Sequence, residues 1–94
     1  MRMTKKQLKS KVDRLNIQQG EKLEPLEVID GVNHWNIGTY SLDWAYGGVK
    51  LVRQSNDKGG ETNITNNGHV PMRELADQID AILNFNFNRE LQGR

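Results

Sequence analysis

Behind Pro71, apolar residues recur at Met72, Leu75, Ala76, Ile79, Ile82 and Leu83, with Arg73, Glu74, Asp77 and Asp80 set between them. Steps of three and four residues gather the apolar set on one face of an α-helix and the charged set on the other. That face is broad, and a helix of a few turns cannot bury it against itself. Pro71 suits the first helical position, where an amide hydrogen is not needed. The spacing therefore predicts a helix over about residues 71–83 or slightly beyond, lying on a flat apolar surface built by the rest of the chain.

The middle of the chain supplies strands. Pro25 cannot sit inside a ladder, so a strand begins after it, over Leu26–Ile29. Asp30-Gly31 is a turn signal, although the following Val32-Asn33 leaves a tight two-residue hairpin open. A second strand fits His34–Tyr40 and extends toward Trp44, with Trp35 and Ile37 on one face and His34 and Asn36 on the other. Gly38 marks a bulge that shifts the phase before Tyr40, Leu42 and Trp44. Gly47-Gly48 turns the chain, Val49–Gln54 is the third strand, and "SNDKGG" reads as a loop. "ETNIT" makes a short edge strand, and Asn66-Asn67-Gly68 turns again. The expected fold is α+β: a three- or four-stranded antiparallel meander covered by the C-terminal helix.

The N-terminus adds a second helix. Thr4-Lys-Lys-Gln7 has capping-box spacing, Leu8, Val12 and Leu15 make one stripe, and Gly20 suits the residue just past a helix end. A helix over about residues 5–18 follows. Its stripe is narrow, so it rests at the margin of the sheet or on a partner. The 94 residues form one domain, residues 1–20 a basic helix and residues 21–94 the sheet with its covering helix.

Charge is distributed unevenly. Residues 1–20 carry Arg2, Lys5, Lys6, Lys9, Lys11 and Arg14 against Asp13 alone, a net +5, whereas residues 21–94 carry seven basic and eleven acidic side chains, a net −4. Arg2, Lys5, Lys6, Lys9 and Lys11 are thus the residues that could meet the phosphates of a nucleic acid, with salt-sensitive binding as the signature. Phe85 and Phe87 are the other candidates. Two positions apart, they suit neither one helical face nor a capped end, so they either close the core or dock on another protein. A chain this short buries only roughly 60–65% of its unfolded surface, and small domains with thin cores commonly pair as symmetric dimers. A second copy of this chain is therefore one candidate partner.

Catalytic chemistry has little to work with. There is no cysteine, serines stand only at 10, 41 and 55, and the two histidines, His34 and His69, lack the spacing of metal ligands. An acid–base pairing of His34 with Asp43 has nothing in the sequence to bring it together. The glycine pairs at 47–48 and 59–60 do not form a phosphate loop, because Lys58 precedes its glycines. "WAYGGVKL" has a look of the base-stacking strand of an RNA-recognition sheet, but only Tyr46, Gly47 and Val49 match that pattern. The plainer reading packs Trp44 and Tyr46 beneath the C-terminal helix. No enzyme activity, metal or cofactor is expected. The first ten residues carry charge without an apolar run, so neither a secretory signal nor a membrane segment is expected, and the chain reads as cytoplasmic.

The run "AYGGVKLVRQSNDKGGETNITNNGHVPMRELADQIDAIL" resembles small uncharacterised proteins encoded by phages and prophages of Gram-positive bacteria. The resemblance is carried by Tyr46, Gly47, Gly48, Leu51, Gly59, Gly60, Arg73, Glu74 and Leu75, and it covers about the last half of the chain. It implies the cytoplasm of a bacterial host and an accessory role through binding. The leading expectation is therefore a non-enzymatic protein that acts through protein contacts, the alternative a nucleic-acid binder that uses the basic helix.

Overall fold

The computed structural model describes residues 3–65 and 68–92, with side chains through Phe87. Helix α1 (Lys5–Gln19) starts where the capping box places it: Thr4 Oγ1 accepts from Gln7 N at 3.1 Å, and Thr4 N donates to Gln7 Oε1 at 2.9 Å. It ends at Gly20, whose positive φ lets Gly20 N and Glu21 N donate back to the carbonyls of Ile17 and Asn16. Two strands follow, β1 (Leu26–Ile29) and β2 (Val32–Trp35). Asp30 and Gly31, at φ 52° and 79°, close them as a tight two-residue hairpin pairing Ile29 with Val32.

Strands β3 (Tyr40–Ala45), β4 (Gly48–Gln54) and β5 (Glu61–Asn63) form a separate antiparallel meander in the order β3-β4-β5. The expected meander is present, but its first strand pairs elsewhere, and the long second strand is two strands. The break lies at Gly38. Gly38 N donates to Gln54 O, Gln54 N donates to Thr39 O, and Gly38 has φ 99°, so two residues face one across the ladder. This is the expected bulge, and it separates β2 from β3. On the far edge of β4, Val49 and Val70 exchange backbone hydrogen bonds at 2.9 Å. Of the Asn66-Asn67-Gly68 turn, the two asparagines lie outside the described residues.

Helix α2 (Met72–Gln92) begins behind Pro71, whose carbonyl accepts from Leu75 N. Nothing in "NFNFNREL" breaks a helix, so α2 continues well past the expected end near Leu83. Both helices lie on one face of the meander, α1 against β3 and α2 against β4. Lys11 pairs with Asp80, while Gln18 Nε2 donates to Leu83 O and Asn86 Nδ2 to Gln18 Oε1, so the helices run side by side in the same direction. The core is Leu8, Val12 and Leu15 from α1, Val49 and Leu51 from β4, Val70, and Leu75, Ala76, Ile79 and Leu83 from α2. The basic helix therefore does not stand at the margin: its stripe is a third of the core. Among the described residues no helix is long and apolar enough to cross a membrane.

Candidate protein-binding surface

The β1–β2 hairpin is the part of the molecule least accounted for by its own packing. Its two strands contact each other, but neither packs extensively on any other element. A two-stranded hairpin alone is at best marginally stable in water. This one is fixed at its base. Asn36 N donates to Pro25 O at 2.8 Å, Asn36 Nδ2 to Glu24 O at 2.7 Å, and Thr39 Oγ1 to Lys22 O at 2.9 Å. The Trp35 ring lies so close over Gly59 that a Cβ there would sit 3.1 Å from it. Lys22 pairs with Glu27 at 3.2 Å, and that hydrogen bond leads the causes that hold the Glu27 carboxyl below its ordinary value, with Asn36 and His34 adding to it.

Beyond the base the hairpin presents aliphatic side chains to solvent. Val28 is 66% exposed, Val32 57% and Ile29 46%. The register places Val28 and Leu26 on one face and Ile29 and Val32 on the other, so neither face is the inner face of a core. Among the described residues the outer edges of both strands are unpaired as well. Sequence reading located β1 but placed it in the meander. The signal that distinguishes an arm is the string Val28, Ile29, Val32 around Asp30-Gly31, which lacks the alternation of a half-buried strand.

The residues expected to meet nucleic acid are spread apart. Arg2 lies outside the described residues. Lys5 stands over the Trp44 ring, 5.0 Å from its centroid. Lys9 binds Asp13 and reaches Glu24 at 3.6 Å. Partial burial works against its charge, but these two carboxylates outweigh it and hold the Lys9 pKa above its ordinary value. Lys11 lies on the opposite flank of α1, bound to Asp80 at 2.8 Å, and Lys6 is exposed between the flanks. Lys50 and Arg53, which could extend a positive surface, face Asp43 and Glu21 at 3.7 Å each. The positive charge is thus interrupted by carboxylates, of which Glu24, Asp80 and Glu21 are remote in sequence from the cations they meet.

Phe85 and Phe87 are 65% and 56% exposed on α2 and belong to no part of the core cluster, so they do not close the core. Trp44 and Tyr46 do not pack beneath α2 either. Trp44 is 43% exposed under Lys5 of α1, and Tyr46 is fully exposed at the turn before Gly47. The helix over β3 is α1, and α1 leaves the outer part of that strand uncovered. His34 is on the arm opposite Glu27, far from a pairing with Asp43. Asp43 instead meets His69, Nε2 to Oδ2 at 3.3 Å, on the sheet face away from the helices. Among the described residues no group of three or more histidines and carboxylates converges as a metal would require.

Comparison with protein-family models, with curated proteins and with solved structures gives no match.

Proposed function

We propose that this chain is a non-enzymatic binding protein that engages another protein through the β1–β2 arm. One observation carries the reading: Val28, Ile29 and Val32 stand in solvent on both faces of a hairpin that, beyond its base, packs extensively on no other element among the described residues. Exposing these side chains has a free-energy cost of about 1.5–3 kcal/mol each relative to full burial, which a partner would recover. Strand edges on both sides offer main-chain pairing as well. The setting we propose is the one that the C-terminal resemblance implies, an accessory factor of phage or prophage origin in a bacterial cytoplasm. The inventory supports a role without catalysis, since the one histidine–carboxylate contact described lies on an open sheet face with Lys50 beside it.

The test uses the full chain with a photo-crosslinking amino acid at Val28, compared with a Val28→Asp, Val32→Lys variant. Both positions are exposed, so the variant should keep the wild-type circular dichroism and melting temperature. Crosslinks from the arm to one protein, or to a second copy, that vanish in the variant support the reading. A partner retained by the variant rejects it. Salt-sensitive binding of duplex or single-stranded DNA or RNA that disappears on changing Lys5, Lys6 and Lys9 to Gln would replace it with the nucleic-acid alternative.

A further inference from the structure

A second surface, distinct from the arm, has the features of a ligand site. Strand β3 is the outer strand of the meander, and its pairing with β4 follows from the closed turn at Ala45–Gly48 and from Gln54 N donating to Thr39 O. In an antiparallel ladder, alternate residues turn their amide and carbonyl away from the partner strand. Here those residues are Tyr40, Leu42 and Trp44. Asn16 occupies both groups of Tyr40, accepting from its N at 2.8 Å and donating to its O at 3.0 Å. The groups of Leu42 and Trp44 have no partner among the described residues.

Directly beside this open edge, on the helix side of the sheet, is a cavity of about 330 Å³. Its apolar wall is Val12 from α1, Leu23 and Pro25 from the chain entering the arm, and Tyr40, Leu42 and Trp44. This is the lower end of the size range for ligand sites. The charged groups on its rim are Lys5, Lys9 and Glu24. Lys9 is neutralised by Asp13 and Glu24, whereas Lys5 contacts the Trp44 ring and has no carboxylate partner among the described residues. The first turn of α1 holds Lys5 and Lys6 and no acidic residue. The Trp44 end of the cavity is therefore positive.

We propose that this groove is an acceptor site for a short extended peptide, which adds to the β3 edge at Leu42 and Trp44 and carries a large apolar side chain with a carboxylate two residues from it, on the same face. The main chain of such a peptide pairs with the four open groups, and every second side chain points to the helix side, where the cavity lies. The apolar side chain fills the space between Trp44, Leu42 and Val12. The carboxylate lies against Lys5. Asn16 ends the available edge at Tyr40, so the paired stretch is a few residues long.

The experiment titrates the ¹⁵N-labelled full chain with two sets of end-blocked pentapeptides. Each has Leu, Ile, Phe, Tyr or Trp at its centre between Thr and Val, and one set carries Glu where the other carries Lys. The Glu set should slow hydrogen exchange of the Leu42 and Trp44 amides about tenfold or more at saturation, and bind at least about fivefold more tightly than the Lys set. Lys5→Glu should reverse that preference, and Trp44→Ala should abolish binding while leaving the fold intact. No member of either set shifting these amides would overturn the proposal, as would equal binding of both sets or shifts confined to the arm. Decanoate serves as a non-peptide probe. If it fills the cavity while the peptides do not, the site takes small amphipathic carboxylates and the strand-addition proposal fails. Arm variants should leave these titrations unchanged, which separates this outcome from that of the arm.

Discussion

Asn16 and Tyr40 meet as two strands would: the Asn16 side-chain amide accepts from Tyr40 N at 2.8 Å and donates to Tyr40 O at 3.0 Å, while Asn16 itself is completely buried. A helix residue thereby terminates the exposed edge of a sheet. Asn16→Leu keeps the branched outline of the side chain but is larger and removes both bonds, leaving two backbone groups facing an apolar contact. Each unsatisfied buried group costs about 1–3 kcal/mol, so we expect a loss of about 2–6 kcal/mol, measured by urea unfolding. A loss under about 0.5 kcal/mol would show that water replaces the amide without penalty.

The helix that carries Asn16 belongs to the core and cannot be detached as a basic tail. Leu8, Val12 and Leu15 are buried against β4 and α2 residues. Leu15→Ala should cost about 2–5 kcal/mol. Lys11→Met, which removes only the partly exposed pair with Asp80, should cost less than about 1 kcal/mol. A chain lacking residues 1–20 should lose its cooperative thermal transition. If the shortened chain melts like the whole one, α1 is an appendage.

What could be read from the sequence, and what could not, follows from where the partners lie. Capping at Thr4, termination at Gly20 and the stripe of α2 depend on neighbours a few residues away, and all three are present; the bulge at Gly38 is present too, marked by the glycine itself although its partner Gln54 is remote. Asn16 carries no signal in the sequence because the strand it completes is 24 positions distant. The lysines read as one positive face because Asp80 and Glu24, which meet Lys11 and Lys9, are remote from them in sequence. Trp44 reads as core by residue type, yet which helix covers β3, and how far, is a matter of tertiary packing. Phe85 and Phe87 are two positions apart and so do not share one helical face, and that alternation masked a helix that simply continues.

Gly48 is required for close approach between two backbones. A Cβ at this position would lie 3.1 Å from the His69 carbonyl carbon and from Val70 N, next to the bridge between Val49 and Val70. Gly48→Ala should therefore push the 68–70 segment off β4 at a cost of about 1–3 kcal/mol. The Val49 and Val70 amides should exchange faster than in the wild type, while those of β5 change less. Gly47→Ala tests a different constraint, because nothing lies within 4 Å of a Cβ there but φ is 85°. Its effect should be confined to the turn at Tyr46.

The base of the arm should respond to acid and that of α1 to alkali, with opposite signs. The Glu27 carboxyl is held below its ordinary value of 4.5, first by the Lys22 hydrogen bond and then by Asn36 and His34. A group whose folded pKa is depressed contributes stability above its unfolded pKa, and that contribution disappears as pH falls through the folded one. The Lys22–Glu27 contact should therefore weaken only below about pH 4.5. Lys9 is the reverse case. Its pKa is raised above 10.5 because Asp13 and Glu24 outweigh partial burial, so its contribution is complete below that value and is lost as pH rises beyond it. Amide exchange of Val28, Ile29 and Val32, corrected for intrinsic rates and followed from about pH 6 to about pH 3, should show the arm opening in acid before the core does. Glu27→Gln should remove that acid dependence without changing exchange in α2. If the arm and the core open together in the wild type, the hairpin is not an independent unit, and Glu27 has no special part in fixing it.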